Sequence, residues 1–247
     1  MAILPTLSTA PPAGMDKSDI KKQTEELVKE LSELQNLLFA EGKHSLLIVL
    51  QGMDASGKDG LIRDVFSAVN PMGCQVKPFK KPTEREMAHD FLWRIHQHVP
   101  QKGMIQIFNR SHYEDVLIQR VHQWVDMDTI RRRYDHINAF EQLLQENDTH
   151  IFKFYLHITQ EEQHERLAER MQDRRKMWKY NANDMKESAH WEAYMEAYED
   201  VFQVCSKEIP WTIIPAEKNW YKEYLVANAI VTKLRSLKME YPALPEA

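Results

Sequence analysis

Ser45-Leu-Leu-Ile-Val-Leu-Gln-Gly52-Met-Asp-Ala-Ser-Gly57-Lys58 is the stretch that decides how this chain is read. Its first six residues are a short apolar run rich in branched side chains, the pattern of a strand covered on both faces. Its last seven match G-x-x-x-x-G-K, the core of a phosphate-binding loop. The match sits where the chemistry requires it, between that strand and a helix expected from about Lys58 to Val69, stopped by Asn70-Pro71. Glycines let the backbone curl so that successive amides point inward, and a helix N-terminus adds positive potential for a phosphate. Lys58 supplies a point charge on the group being transferred.

Outward from this loop the pattern repeats. Residues 16–41 form an amphipathic helix with Ile20, Leu27, Leu31, Leu34 and Leu38 on one stripe. Further buried strands are expected at Gln75–Phe79, Met104–Phe108, Ile151–Ile158 and Trp211–Ile214. Three of the helices between them open on a Ser/Thr-x-x-Glu capping box: Thr83 with Glu86, Ser111 with Glu114, and Thr159 with Glu162. Apolar strands alternating with helices predict a three-layer α/β/α sandwich around a parallel sheet of about five strands. The chain has 247 residues, and no repeat or low-complexity linker divides it, so one domain is expected over 16–240. Residues 1–15, uncharged through position 14 and holding three prolines, read as a loose, disordered tail, as do 241–247.

Composition narrows the function. With 43% hydrophobic and 28% charged residues the chain is neither disordered nor fibrous, and no apolar run approaches a membrane span. Two cysteines and no basic leader fit a cytoplasmic protein with free thiols. A net charge of −5 argues against a nucleic-acid binder, so any polyanion site must come from local clustering.

Such clusters exist. Phe79-Lys80-Lys81-Pro82-Thr83 closes the second strand, and its two lysines look like an anion clamp. Asn109-Arg110-Ser-His-Tyr-Glu114-Asp115 follows the third strand, at the sheet edge where ligands sit in open parallel sheets. Arg110 there can fork onto a phosphate. Arg166, Arg170 and Arg174 recur at helical spacing within a stretch (166–186) that also holds Arg175, Lys176, Lys179 and Lys186, and it reads as a lid closing over phosphates. Arg131-Arg132-Arg133 are expected mainly to solvate a helix. Trp178, Trp191, Tyr194 and Tyr198 have core spacing. Two usual magnesium positions have changed: Asp59 follows the lysine in place of Ser/Thr, and the third strand ends in Asn109 rather than an aspartate. Asp54 and Asp115 are therefore the candidate metal carboxylates, with Asp59 a third whose first-turn position also has a purely helical explanation.

The four motifs at 52–59, 79–83, 108–115 and 170–184, in this order, closely resemble the family-2 polyphosphate kinases across residues 17–240. The resemblance implies a phosphate-loop kinase fold of the thymidylate-kinase kind with a helical lid at about 166–187. It implies transfer of the terminal phosphoryl group of inorganic polyphosphate to a nucleoside mono- or diphosphate, reversibly and with magnesium, or manganese in its place. By resemblance, Gly52, Ala55, Ser56, Gly57, Lys58, Lys80, Lys81, Arg170, Arg174 and Arg175 would line the polyphosphate path. Asp54, Asn109, Arg110, Glu114 and Asp115 would serve the nucleotide. Asp54, Lys58, Arg110 and Asp115 would be catalytic, with Asp54 and Asp115 orienting the metal. Glu114 fits the class-III subgroup, which uses both AMP and ADP; adenine and guanine acceptors both remain open. Members are commonly dimers or tetramers. The rival reading is an ATP-dependent nucleoside monophosphate kinase of the same fold, against which Asp59 and the double lysine count. A second rival, a non-catalytic nucleotide-responsive module, is disfavoured by the set of retained charged residues.

Overall fold

In the computed structural model, which describes residues 3–243, five strands form one sheet: β1 (Ser45–Gln51), β2 (Cys74–Pro78), β3 (Ile105–Asn109), β4 (Thr149–His157) and β5 (Trp211–Pro215). Their order is β2-β3-β1-β4-β5, and every pairing is parallel. β1 lies at the centre, with Leu46 opposite Ile105 on one side and His150 on the other. All seven of its residues are buried, which is why the run shows no polar alternation. Leu47 and Val49 face the layer of α5 (Glu114–Val121), α6 (Met127–Glu146) and α9 (Trp191–Val204). Leu46, Ile48 and Leu50 face α1 (Lys17–Glu41), α2 (Lys58–Val65) and α10 (Asn219–Ser236). The expected three-layer sandwich is therefore formed.

Local chemistry sets the helix ends. Asp16 caps α1 by accepting the amides of Ser18 and Asp19, and Gly42, at φ 66°, ends it. α1 packs along α10, where Glu30 and Arg235 pair in bidentate fashion at 2.6 Å. Short helices α3 (Glu84–Met87) and α4 (Trp93–His96) follow β2, while α7 (Gln160–Gln172) and α8 (Ala182–Ser188) follow β4.

Several expectations change. α2 ends at Val65, four residues early. β2 is an edge strand with half-exposed and exposed residues rather than a buried one, and β3 separates it from β1. The Thr83–Glu86 capping box forms. The other two do not close: Glu162 turns to Arg166 at 2.7 Å, and α5 starts two residues later than the box requires, with Glu114 paired to Arg110. The N-terminal stretch is not a loose tail from residue 3 onward. Leu4 is 2% exposed in the core, its amide donates to Glu199, and Thr9 bonds Glu217 at 2.6 Å. Residues 1–2 and 244–247 lie outside the described residues.

Candidate active site

The loop after β1 depends on its glycines. Gly52 sits at φ 145°, and a side-chain carbon there would stand 2.8 Å from the Leu156 carbonyl oxygen and 2.9 Å from Ser56 Oγ. Ala55 and Gly57 are also left-handed, at φ 64° and 96°. The resulting curl brings Lys58 back over its own loop, where Nζ donates to the carbonyls of Gly52 (2.7 Å) and Met53 (3.1 Å). Burial, with the charge of Arg110 added, lowers the Lys58 ammonium to about 8. Arg166 braces the loop. Its guanidinium donates to the carbonyls of Ala55, Ser56, Ala216 and Glu217 at 2.9–3.2 Å, which ties the loop to the turn between β5 and α10.

Arg110 faces Lys58 from the end of β3. It is a left-handed residue, φ 61°, and its guanidinium bridges Asp54 of the loop and Glu114 of α5, the latter at 3.0 Å. Burial pushes the Asp54 carboxyl up, but Arg110 and Lys58 outweigh it and hold Asp54 below the usual carboxylate range. Glu114, and after it Asp54, keep Arg110 charged against the cost of its own burial. Asn109 Nδ2 donates to Asp59 at 2.9 Å, and Asp59 also accepts from Lys179 at 2.8 Å.

Asp54, Lys58, Asp59, Asn109, Arg110, Arg166 and Lys179 line a cleft of about 1390 Å³, which also receives Lys80, Arg170, Arg175, Lys176 and Trp178. Glu114 does not line it and reaches it through Arg110. Gly52 and Ser56 lie buried beneath it. Lys81 is exposed and does not line it, so the clamp reduces to Lys80. Arg174 falls beyond the end of α7, exposed and not lining the cleft, so the three-arginine stripe stops at Arg170, which pairs with Asp184 at 2.7 Å. Trp178 is 78% exposed rather than core, under the Lys179 ammonium. Tyr194 and Tyr198 are buried as expected, and Trp191 packs against the core at its margin.

Asp115 is turned away from the cleft. It is buried and pairs with Arg94 at 3.2 Å. Burial raises its carboxyl, though Arg94 and Arg133 pull the other way. Arg133 donates to the Asp115 carbonyl at 2.7 Å, whereas Arg131 and Arg132 bond only within α6. Arg94 also holds the Lys80 carbonyl at 2.9 Å, so one guanidinium joins the segment after β2 to the first turn of α5. Nothing in the spacing of Arg94 marks it.

A second group escaped sequence reading. Lys153 of β4 and Glu141 of α6 pair at 2.7 Å with no more than 2% side-chain exposure. Glu141 also accepts from Tyr113 Oη (2.8 Å) and faces His112 Nε2 (3.1 Å). The Asn109–Asp115 loop is therefore anchored from below through its own middle residues.

Among the described residues no three His, Cys, Asp or Glu side chains converge to hold a metal alone. Asp54, ionised and facing the cleft, with Asp59 at its rim, does suit magnesium, which keeps one or two carboxylates and takes its other ligands from water and phosphates. Of the two expected metal carboxylates, only Asp54 lines the cleft.

A glycine loop between a central parallel strand and a helix, a buried lysine over it and a facing arginine define a phosphotransferase of the phosphate-loop class. The model of the polyphosphate kinase 2 (PPK2) family matches residues 14–242, and the chain belongs to that family. It is 50% identical over 217 residues to an AMP/ADP-polyphosphate phosphotransferase of Meiothermus ruber, covering 87% of this chain and 81% of the relative. It is 42% identical to an ADP-polyphosphate phosphotransferase of Rhodopseudomonas palustris, covering 87% and 79%. The crystal structure of polyphosphate kinase 2 from Arthrobacter aurescens superimposes with a TM-score of 0.95 at 42% identity, covering 99% of this chain and 89% of that one. The chain is accordingly an enzyme that phosphorylates nucleotides at the expense of polyphosphate.

Proposed function

We propose that the enzyme accepts both AMP and ADP, taking the phosphoryl group from the end of a polyphosphate chain seated on the Gly52–Lys58 loop, with magnesium and reversibly. The observation that carries this reading is the bridge Asp54–Arg110–Glu114 set opposite Lys58. Phosphoryl transfer needs alignment and charge neutralisation rather than a covalent nucleophile. Lys58 and the loop amides hold the donor oxygens. Arg110, oriented by two carboxylates, neutralises charge on the transferring group. Asn109 steadies the acceptor, and Lys80 stands on the polyphosphate path. Asp54, with Asp59 in reach, would hold magnesium, which would supply charge neutralisation for the phosphates. Arg170, Arg175, Lys176 and Lys179 close over the chain and exclude water.

The name of the Meiothermus ruber relative agrees with the dual acceptor. Free Cys74 and Cys205 suit a cytoplasmic setting, and no helix among the described residues is long and apolar enough to cross a membrane. We further propose a homo-oligomer, with no nucleic acid or membrane partner.

Incubation with magnesium, long-chain polyphosphate and either AMP or ADP, followed by nucleotide analysis, tests the reading. ADP from AMP and ATP from ADP are expected; product from ADP alone removes the dual acceptor. Glu114→Asn tests the carboxylate itself. AMP brings one phosphate fewer with which to hold Arg110, so it depends more on Glu114. Loss of about tenfold in kcat/KM with AMP, and much less with ADP, is expected. Equal loss on both acceptors would reduce Glu114 to a general support of Arg110.

A further inference from the structure

Lys222 is 1% exposed and lines no part of the cleft. It stands in the first turns of α10, where the helix dipole disfavours a cation. Its Nζ donates to Asn219 Oδ1 at 2.8 Å. Among the described residues it has no carboxylate within ion-pair distance, and Glu223 and Asp64 attract it only from longer range. The other deeply buried ammonium away from the cleft, that of Lys153, has Glu141. A buried ammonium without an anion is among the costlier groups a fold can carry.

Its position explains why it is there. A side-chain carbon built on Gly57 would stand 2.2 Å from Lys222 Nζ and 3.7 Å from Arg166 Nη1. Two cations therefore press against the phosphate loop at Gly57, where the absence of a side chain lets them approach, while Lys58 covers its cleft side. Gly57 itself lines the cleft, so donor phosphates seated there would bring an anion to the backbone that Lys222 touches.

We propose that Lys222 is a positioning residue for the donor, a built-in counter-charge that acts on bound polyphosphate through the Gly57 backbone. The inference rests on the seating of polyphosphate in this loop. Burial, and then the charge of Arg166, lower the Lys222 ammonium to about 8, with Lys58 adding to the effect and Glu223 and Asp64 opposing it. In the free enzyme its charge is a liability below that pH, and the donor removes the liability.

Lys222→Met in the full chain separates this role from a packing role. Without ligand the variant is expected to melt at the same temperature as the wild type or higher, because the buried charge has gone. Its KM for polyphosphate is expected to rise about tenfold, the rise in Tm that polyphosphate confers is expected to shrink, and KM for ADP is expected to stay within about twofold. A lower ligand-free Tm with an unchanged KM for polyphosphate overturns the proposal, as does an equal loss on both substrates. Lys222→Gln repeats the comparison if the Met variant does not fold. Failure of the wild type itself to use polyphosphate removes the donor reading, and the proposal with it. Wild-type turnover with an unaffected variant removes the proposal alone.

Discussion

Lys58→Met is expected to lower kcat by about 10³-fold or more while the protein stays folded. The methionine fills most of the volume of the lysine, so the main structural loss is the donor to the Gly52 and Met53 carbonyls, about 1–3 kcal/mol. What disappears is the ammonium inside the curl of the loop, where the proposed reading seats the donor phosphates. Steady-state turnover beside a melting curve checks this, and a kcat within tenfold of wild type would take Lys58 out of the transition state. The same group gives a pH signature. Because its ammonium is lowered to about 8, the free enzyme loses that charge as pH rises through 8. kcat/KM for polyphosphate should therefore fall on the alkaline side, and the limb should be altered in the methionine variant.

Glu141→Leu is expected to be among the most destabilising single changes in the chain. Its carboxylate sits between Lys153, Tyr113 and His112. Burial pushes that carboxyl up, but His112 and Lys153 more than offset it, and it is held below the ordinary carboxylate value. The sign follows: the stability it contributes is present above the unfolded-state pKa and is lost as pH falls toward the lowered one. Removing it strands the Lys153 ammonium, at a cost of about 3–5 kcal/mol, or roughly 6–20 °C in Tm for a domain of this size. Lys153→Met in the same molecule should recover most of the loss, since an apolar pair of similar volume carries no stranded charge. A double variant as unstable as Glu141→Leu alone would mean that the loop contacts of Tyr113 and His112, rather than the ion pair, set the cost.

The cleft was legible in sequence where function depends on main-chain geometry. Gly52, Gly57 and Lys58 stand in fixed spacing because the curl demands it, and Asn109-Arg110 lies at a strand end because parallel sheets put ligands there. β1, β3, β4 and β5 were legible because their runs are apolar over most of their length. What escaped was what tertiary contact alone creates. Arg94 meets Asp115 across 21 positions, Lys222 meets Gly57 across the whole fold, and neither lies in a motif. Glu114 has the spacing of a capping residue, but Arg110 offers it a charge-assisted partner where a cap offers only an amide, and the charge wins. Arg174 failed for a local reason: α7 ends at Gln172, so the helical spacing that placed it beside Arg170 no longer applies. β2 looked like a core strand, yet the sheet order puts it at the edge.

That sheet order also dictates a timetable. β1 pairs with β4 from Ser45 to Thr149, so the middle of the sheet stays open until more than a hundred further residues have been made. α1 waits longer still, because its partner α10 begins at Asn219 and the Glu30–Arg235 clasp closes later again. During synthesis the apolar Leu46–Leu50 run and the inner stripe of α1 are therefore unsheltered for most of the chain's emergence. Such delayed long-range closure is slow and exposes sticky surface. Recovery of active enzyme should depend on temperature and chaperone supply during synthesis more than the stability of the finished fold would indicate.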